Sequence, residues 1–208
     1  MRESVPPSAR VREMFLPLRH PDGAVPTVTH YRTTGLVSCL RILDARGLRP
    51  RYDESLAPSD RAFIAELLPA QWLDARLALA HFRAIDSLGL SAAELLELGV
   101  AAGEKVIAYQ TGTLFRMTRE AGLSPWTVFP HGQRIWDRMC KGGDLSIERL
   151  GPKDVLVTLH GLRMTSSTYF RTMMRGVLQS GLSLWCTRCY VTEVPTGATT
   201  LSFREAWV

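Results

Sequence analysis

The hydrophobic period changes at Lys141-Gly142-Gly143, and a chain whose helical front gives way there to strand spacing has few folds open to it. Upstream, apolar residues recur three and four positions apart. Leu36, Cys39, Leu40 and Leu43 form one such stripe, with Gly47 placed to end the helix. Downstream, LSIERL and VLVTLHG are strands joined by Gly151-Pro152-Lys153-Asp154, a hairpin signature. Ser166 or Ser167 then caps a helix with Phe170, Met173, Met174, Val177 and Leu184 on one face. CYVTEV, the turn Pro195-Thr196-Gly197-Ala198 and LSFREAWV form a second hairpin. The expectation is an α+β fold. Its helical N-terminal two-thirds pack with a small antiparallel sheet arranged β-β-α-β-β.

Within the front part, residues 1–27 carry five prolines and no period, and read as a loosely packed lead-in. Residues 28–208 read as a single α+β domain, since 208 residues suffice for one generous core. A short helix is expected from about Ser59 to Leu68. Pro69 opens the next, where Trp72, Leu73, Leu77, Ala80, Ala84 and Leu88 share a face. Ser91-Ala92-Ala93-Glu94 is a capping box, and the helical pattern continues from it to Glu120. That helix would be about 42 Å long if straight, with a bend expected at Thr111-Gly112-Thr113. Gly99 and Gly103 lie one turn apart and would let another element approach closely. Gly122 marks its exit, and Ser124-Pro125 opens a shorter helix toward Cys140.

The net charge of +5 raises the question of nucleic acid, but its distribution argues against one. Lysine occurs only at Lys105, Lys141 and Lys153. The other 22 of the 25 basic residues are arginines spread over nearly every segment, with no basic arm. No run approaches the ~18 apolar residues of a membrane span, and the first residues lack the apolar core of a signal peptide. Four cysteines form no disulfide framework at this length, so the cytoplasm is the expected compartment.

Cys186 and Cys189 have a Cys-x-x-Cys spacing, yet they follow a helix rather than open one. The negative end of a helix raises a thiol pKa, against redox chemistry. In one extended segment the two would face opposite sides and could not share an ion, and no second ligand pair accompanies them. They read as small packed hydrophobes. The five histidines lack metal-ligand spacing, and His81 reads as a core-edge residue beside the Leu77–Ala84 stripe. No P-loop, Gly-x-Ser-x-Gly or Gly-x-Gly-x-x-Gly is present, and no catalytic set assembles. LSAAELLELGVAAGEKVIAYQ imitates a helix-turn-helix with Gly99 at the turn, although Leu95 and Lys105 depart from its pattern.

Two longer stretches carry a resemblance. RGLRPRYDESLAPSDRAFIAELLPAQWLDARLALAHFRAIDSLGLSAAELLELG, followed by AGLSPWTVFPHGQRIWDRMCKGGDLSIERLGPKD, resembles an uncharacterised family of proteins expanded in myxobacteria. From the long helix to Val208 the layout also resembles vinyl-reductase-type, TRAPP-subunit and haem–nitric-oxide-binding domains. The resemblance implies a small-molecule sensor or an assembly subunit, with any ligand between helices and sheet. Departures limit it. Leu201-Ser202-Phe203 stands where vinyl-reductase-type domains have Cys-x-Phe, and the Tyr-x-Ser-x-Arg of the haem-binding relatives occurs nowhere.

The expected function is therefore a non-enzymatic, cytoplasmic, regulatory or sensory domain that binds an apolar small molecule or a protein partner. The expected ligand seam comprises Tyr109, Phe115, Phe129, His131, Trp136, Phe170, Met173 and Met174, aromatic and adaptable residues of the kind that line apolar pockets. No catalytic residue, cofactor or metal is expected. The alternative is a structural adaptor acting as a homodimer or heteromer, and the third reading is a DNA-binding regulator.

Overall fold

The computed structural model of the chain describes residues 12–21, 23–110, 124–195 and 197–208. Beyond Gly143, alternating apolar residues build one antiparallel sheet. Strand β5 (Asp144–Gly151) turns into β6 (Asp154–His160), helix α7 (Thr168–Leu182) crosses, and β7 (Cys189–Val194) pairs with β8 (Thr200–Trp207). The strand order is β1-β5-β6-β8-β7, with β1 formed by Glu13–Leu16. Val155, Val157 and Leu159 of β6 point into the core, as do Leu201, Phe203 and Trp207 of β8. Of the two serines offered as the cap of α7, Ser167 takes the role, its hydroxyl accepting from the Phe170 amide at 3.1 Å.

The sheet has one strand more than the sequence pattern suggests. Strand β1 (Glu13–Leu16), within the stretch read as a lead-in, pairs antiparallel with β5. Four residues at a half-covered edge are too few to show a period. Asp144 anchors the following segment: its carboxylate accepts from the backbone amides of Arg19 and His20 at 2.8 and 3.1 Å.

A second, three-stranded sheet joins the ends of the helical part in the order β3-β2-β4. Its strands are β2 (His30–Arg32), β3 (Trp72–Asp74) and β4 (Cys140–Lys141). The helix expected to open at Pro69 is displaced by this sheet. Ala70 turns the chain with φ of 62°, β3 pairs with β2, and only then does α4 (Ala75–Asp86) begin. Asp74 caps it, accepting from the Arg76 amide at 2.7 Å. Tertiary pairing outweighs the helical spacing of Trp72 and Leu73.

Helices α1 (Thr34–Ala45), α2 (Arg49–Glu54) and α3 (Pro58–Ala65) precede these elements. Helix α5, described over Ala92–Gln110, opens with the reciprocal cap that the sequence predicts. Ser91 N donates to the Glu94 carboxylate at 2.8 Å, and Glu94 N donates to Ser91 Oγ at 3.3 Å. The helix runs unbroken through Gly99, so the helix-turn-helix reading fails at its turn. Its expected continuation to Glu120, the bend at Thr111-Gly112-Thr113 and the exit at Gly122 lie outside the described residues.

Small residues bring α5 against α7. A Cβ on Gly99 would sit 2.7 Å from Met173 Cα, and one on Gly103 would sit 2.8 Å from Val177 Cα. From the other side, Ser180 Oγ donates to the Val100 carbonyl at 3.1 Å. Each glycine costs a helix interior about 1 kcal/mol relative to alanine, and this backbone-to-backbone packing offsets it. After Ser124, two single turns of tighter helix (Pro125–Thr127 and Phe129–His131) lead into α6 (Gly132–Met139). Among the described residues no helix is long and apolar enough to cross a membrane.

Candidate functional site

The elements that meet at α7 leave space between them. A pocket of about 140 Å³ is walled by α5 (Val106, Ile107), α6 (Ile135, Trp136, Met139), α7 (Met174, Val177, Leu178) and the core face of the sheet (Ile147, Val157, Leu159). Trp136 is held in place from below: its indole N–H donates to the Gly142 carbonyl at 3.0 Å. Phe129 also lines it, its ring 5.6 Å from Trp126 and 5.9 Å from Trp207. Among the described residues the lining is aliphatic, aromatic and thioether, with one ionisable exception. Glu205 of β8 is 3% exposed and reaches the same wall, where its Oε1 has no hydrogen-bond partner. Burial pushes its carboxyl up to about 8.

A smaller pocket of about 80 Å³ shares Val106, Trp136, Met139, Met174 and Val177 with the first and extends toward α1 and α4. Its far wall is polar. His81 is fully buried, with Nδ1 2.7 Å from the Tyr52 hydroxyl and Nε2 unpaired. Burial and then the nearby Arg49 charge pull its pKa down to about 3, so the ring is neutral. The Tyr31 hydroxyl, also unpaired and pushed up by burial, lies on the same wall. Cys140 and Tyr169 complete it, both with pKa values raised by burial.

Cys186 and Cys189 belong to neither pocket. Their opposite-facing geometry is not what the fold gives: Cys186 precedes β7, and the two thiols interact with each other. Cys186 also donates to the Leu182 carbonyl at 3.1 Å, at the end of α7. Burial, then the neighbouring Cys189, pushes Cys186 up to about 11. All four cysteines are free thiols. Among the described residues no three His, Cys, Asp or Glu side chains cluster as a metal site would require.

Of the seam residues expected from sequence, Phe129, Trp136 and Met174 line the larger pocket, and Trp136, Phe170, Met173 and Met174 line the smaller. His131 is exposed on its turn and lines neither. Tyr109 belongs to the last turn of α5, and Phe115 lies outside the described residues. Glu205 and the unpaired side of His81 escape sequence reasoning. The signal for Glu205 was present in the alternation of LSFREAWV, which puts it on the same face as Leu201, Phe203 and Trp207.

No family model matches the chain, and no curated protein matches it; neither comparison carries the myxobacterial resemblance. Solved structures do match. An unliganded Fe(II) H-NOX variant from K. algicida superposes with a TM-score of 0.56 at 10% identity, over 85% of this chain and 96% of that one. An H-NOX structure concerned with haem distortion gives 0.55 at 13%, over 85% and 94%. An oxygen-binding H-NOX domain related to soluble guanylate cyclases gives 0.53 at 12%, over 84% and 94%. The chain therefore has the H-NOX fold. That likeness extends to the fold alone.

Haem, the group named for such domains, does not fit the described residues. A void of about 150 Å³ holds a benzene, and a porphyrin, four five-membered rings in a macrocycle, needs several times the room that this pocket offers. Among the described residues the wall of this pocket also presents no His, Cys or Tyr side chain to an iron. His81 faces the smaller pocket, where the space is about 80 Å³.

Proposed function

We propose that this chain is a non-enzymatic sensory domain that takes up a benzene-sized apolar molecule between α5, α6, α7 and the sheet. The observation that carries this reading is the pocket itself: about 140 Å³ between helices and sheet, with a lining that is apolar except for Glu205 among the described residues. Apolar voids of that size bind small apolar molecules in preference to water. The pocket wall includes α5 and α7, so occupancy bears directly on how those helices pack. The H-NOX fold supports a sensory role, and the four free thiols go with a cytoplasmic setting. The adaptor alternative loses its most specific support, because the glycine face of α5 is covered by α7 of the same chain.

The test is a titration of protein carrying isotope-labelled methionine methyls with a panel of single-ring compounds, including toluene and aniline. Met139 and Met174 line the pocket, and Met14 is exposed at the sheet edge as a control. Saturable shifts at Met139 and Met174 alone are the expected result. Unchanged methyls across the panel would sink the reading.

A further inference from the structure

Glu205 occupies a position that its surroundings reserve for an apolar side chain. Across β8 it pairs with Val155 of β6 on one side and Val191 of β7 on the other, both buried. Leu201, Phe203 and Trp207 share its face, and all are buried. A carboxyl here loses its hydration and gains no partner at Oε1, which is an expensive arrangement in a core. The same carboxyl is also the ionisable group on the wall of the larger pocket.

We infer that Glu205 is the recognition group of that pocket, and that its ligand is a single-ring molecule bearing one neutral N–H or O–H donor aimed at the carboxyl. This rests on the pocket reading above and adds the ligand's polar feature to it. A hydrocarbon of the same shape fills the space but leaves Oε1 unpaired. A donor-bearing molecule satisfies it, and sites that hydrogen-bond a ligand group discriminate strongly against analogues lacking that group. A cationic head is disfavoured, because a charge brought into this lining loses its hydration. Cys186 and Cys189 feel the Glu205 charge but carry raised pKa values and bring no opposite charge.

The experiment compares aniline, an uncharged amine at neutral pH, with toluene, its near-isostere lacking the donor. Both are titrated against the full chain with the Met139 and Met174 methyls as readout. The wild type should bind aniline at least about tenfold more tightly than toluene. Glu205→Gln, which keeps an acceptor, should retain the preference, and Glu205→Leu should abolish it. Equal affinities in the wild type overturn this inference and leave the apolar pocket standing. A preference surviving in Glu205→Leu also overturns it, since the donor would then be recognised elsewhere. Failure of both probes to bind removes the underlying pocket reading instead. If Glu205→Leu does not fold, Glu205→Met, which also lacks an acceptor, takes its place with the same expected loss of preference.

Discussion

Gly176 and Gly99 face each other at the crossing of α7 and α5, so close that a Cβ on Gly176 would lie 2.5 Å from the Gly99 carbonyl carbon. Neither position has room for even a methyl group, because the opposing atoms are backbone.

Enlarging this crossing should therefore destabilise the monomer. Gly103→Leu is expected to cost about 1–3 kcal/mol through overpacking, despite the gain in helix propensity. Gly176→Ala should also destabilise, at the lower end of the same range. Urea midpoints measure the loss, and light scattering should show an unchanged mass in both variants. A drop in mass without a drop in stability would mean that the crossing lies between subunits.

Two buried groups set opposing pH slopes. Glu205 has its folded pKa raised to about 8 from 4.5, so the folded state holds the extra proton and stability falls as pH rises through that window. His81 is lowered to about 3 from 6.5, so stability falls as pH drops through that window. Each slope is at most about 1.4 kcal/mol per pH unit. Where the windows overlap, between 4.5 and 6.5, the two cancel, and denaturant midpoints should show a plateau there. Glu205→Gln should remove the alkaline fall, and His81→Gln the acid one. An alkaline fall undiminished in Glu205→Gln would assign it to another group.

Asp144 should matter more than its place at a strand end suggests. Burial alone would raise its pKa, but hydrogen bonds from His20, Arg19 and Leu145 outweigh burial and hold it below the usual carboxylate value. Asp144→Asn exchanges an acceptor for a donor facing those amides, and is expected to cost about 2–3 kcal/mol. Hydrogen exchange at Arg19 and His20 should quicken while the α5 amides remain protected. Unchanged exchange at both would show that the carboxylate does not anchor this segment.

The thiols should be sluggish. With Cys186 pushed up to about 11 and Cys39 likewise, little thiolate exists at neutral pH. Alkylation of the native protein should be slow, and should accelerate for all four cysteines in denaturant. Replacing Cys186 and Cys189 together by Ala should cost about 1–3 kcal/mol of packing and leave the fold intact. Rapid native labelling at Cys186 would contradict the burial that raises its pKa.

The sequence shows the α+β class, both hairpins, the cap at Ser91 and, to within one residue, the cap at Ser166 or Ser167, because each depends on neighbours a few residues away. Ser91 with Glu94, or Gly151 through Asp154, carries its geometry locally. The strands of two to four residues do not show, since His30–Arg32 becomes a strand only when Trp72–Asp74 and Cys140–Lys141 arrive beside it. The pocket follows the same rule. Trp136 and Met174 are visible as apolar positions on helix faces, but that their faces leave a gap is a property of the packed whole. Glu205 is legible on the inward face from the alternation of β8, but that its Oε1 finds no partner there is a property of the packed whole.

The Gly99–Gly176 crossing joins positions 77 residues apart in the chain. During synthesis α5 leaves the ribosome well before its covering helix exists. At about 5–20 residues per second, the 77 residues between them separate their emergence by roughly 4–15 s. Throughout that time, the small-residue face of α5 is bare, and the α5 and α6 walls of the pocket have no α7 opposite them. The nascent chain thus passes through a defined interval in which this face must stay soluble without its covering helix.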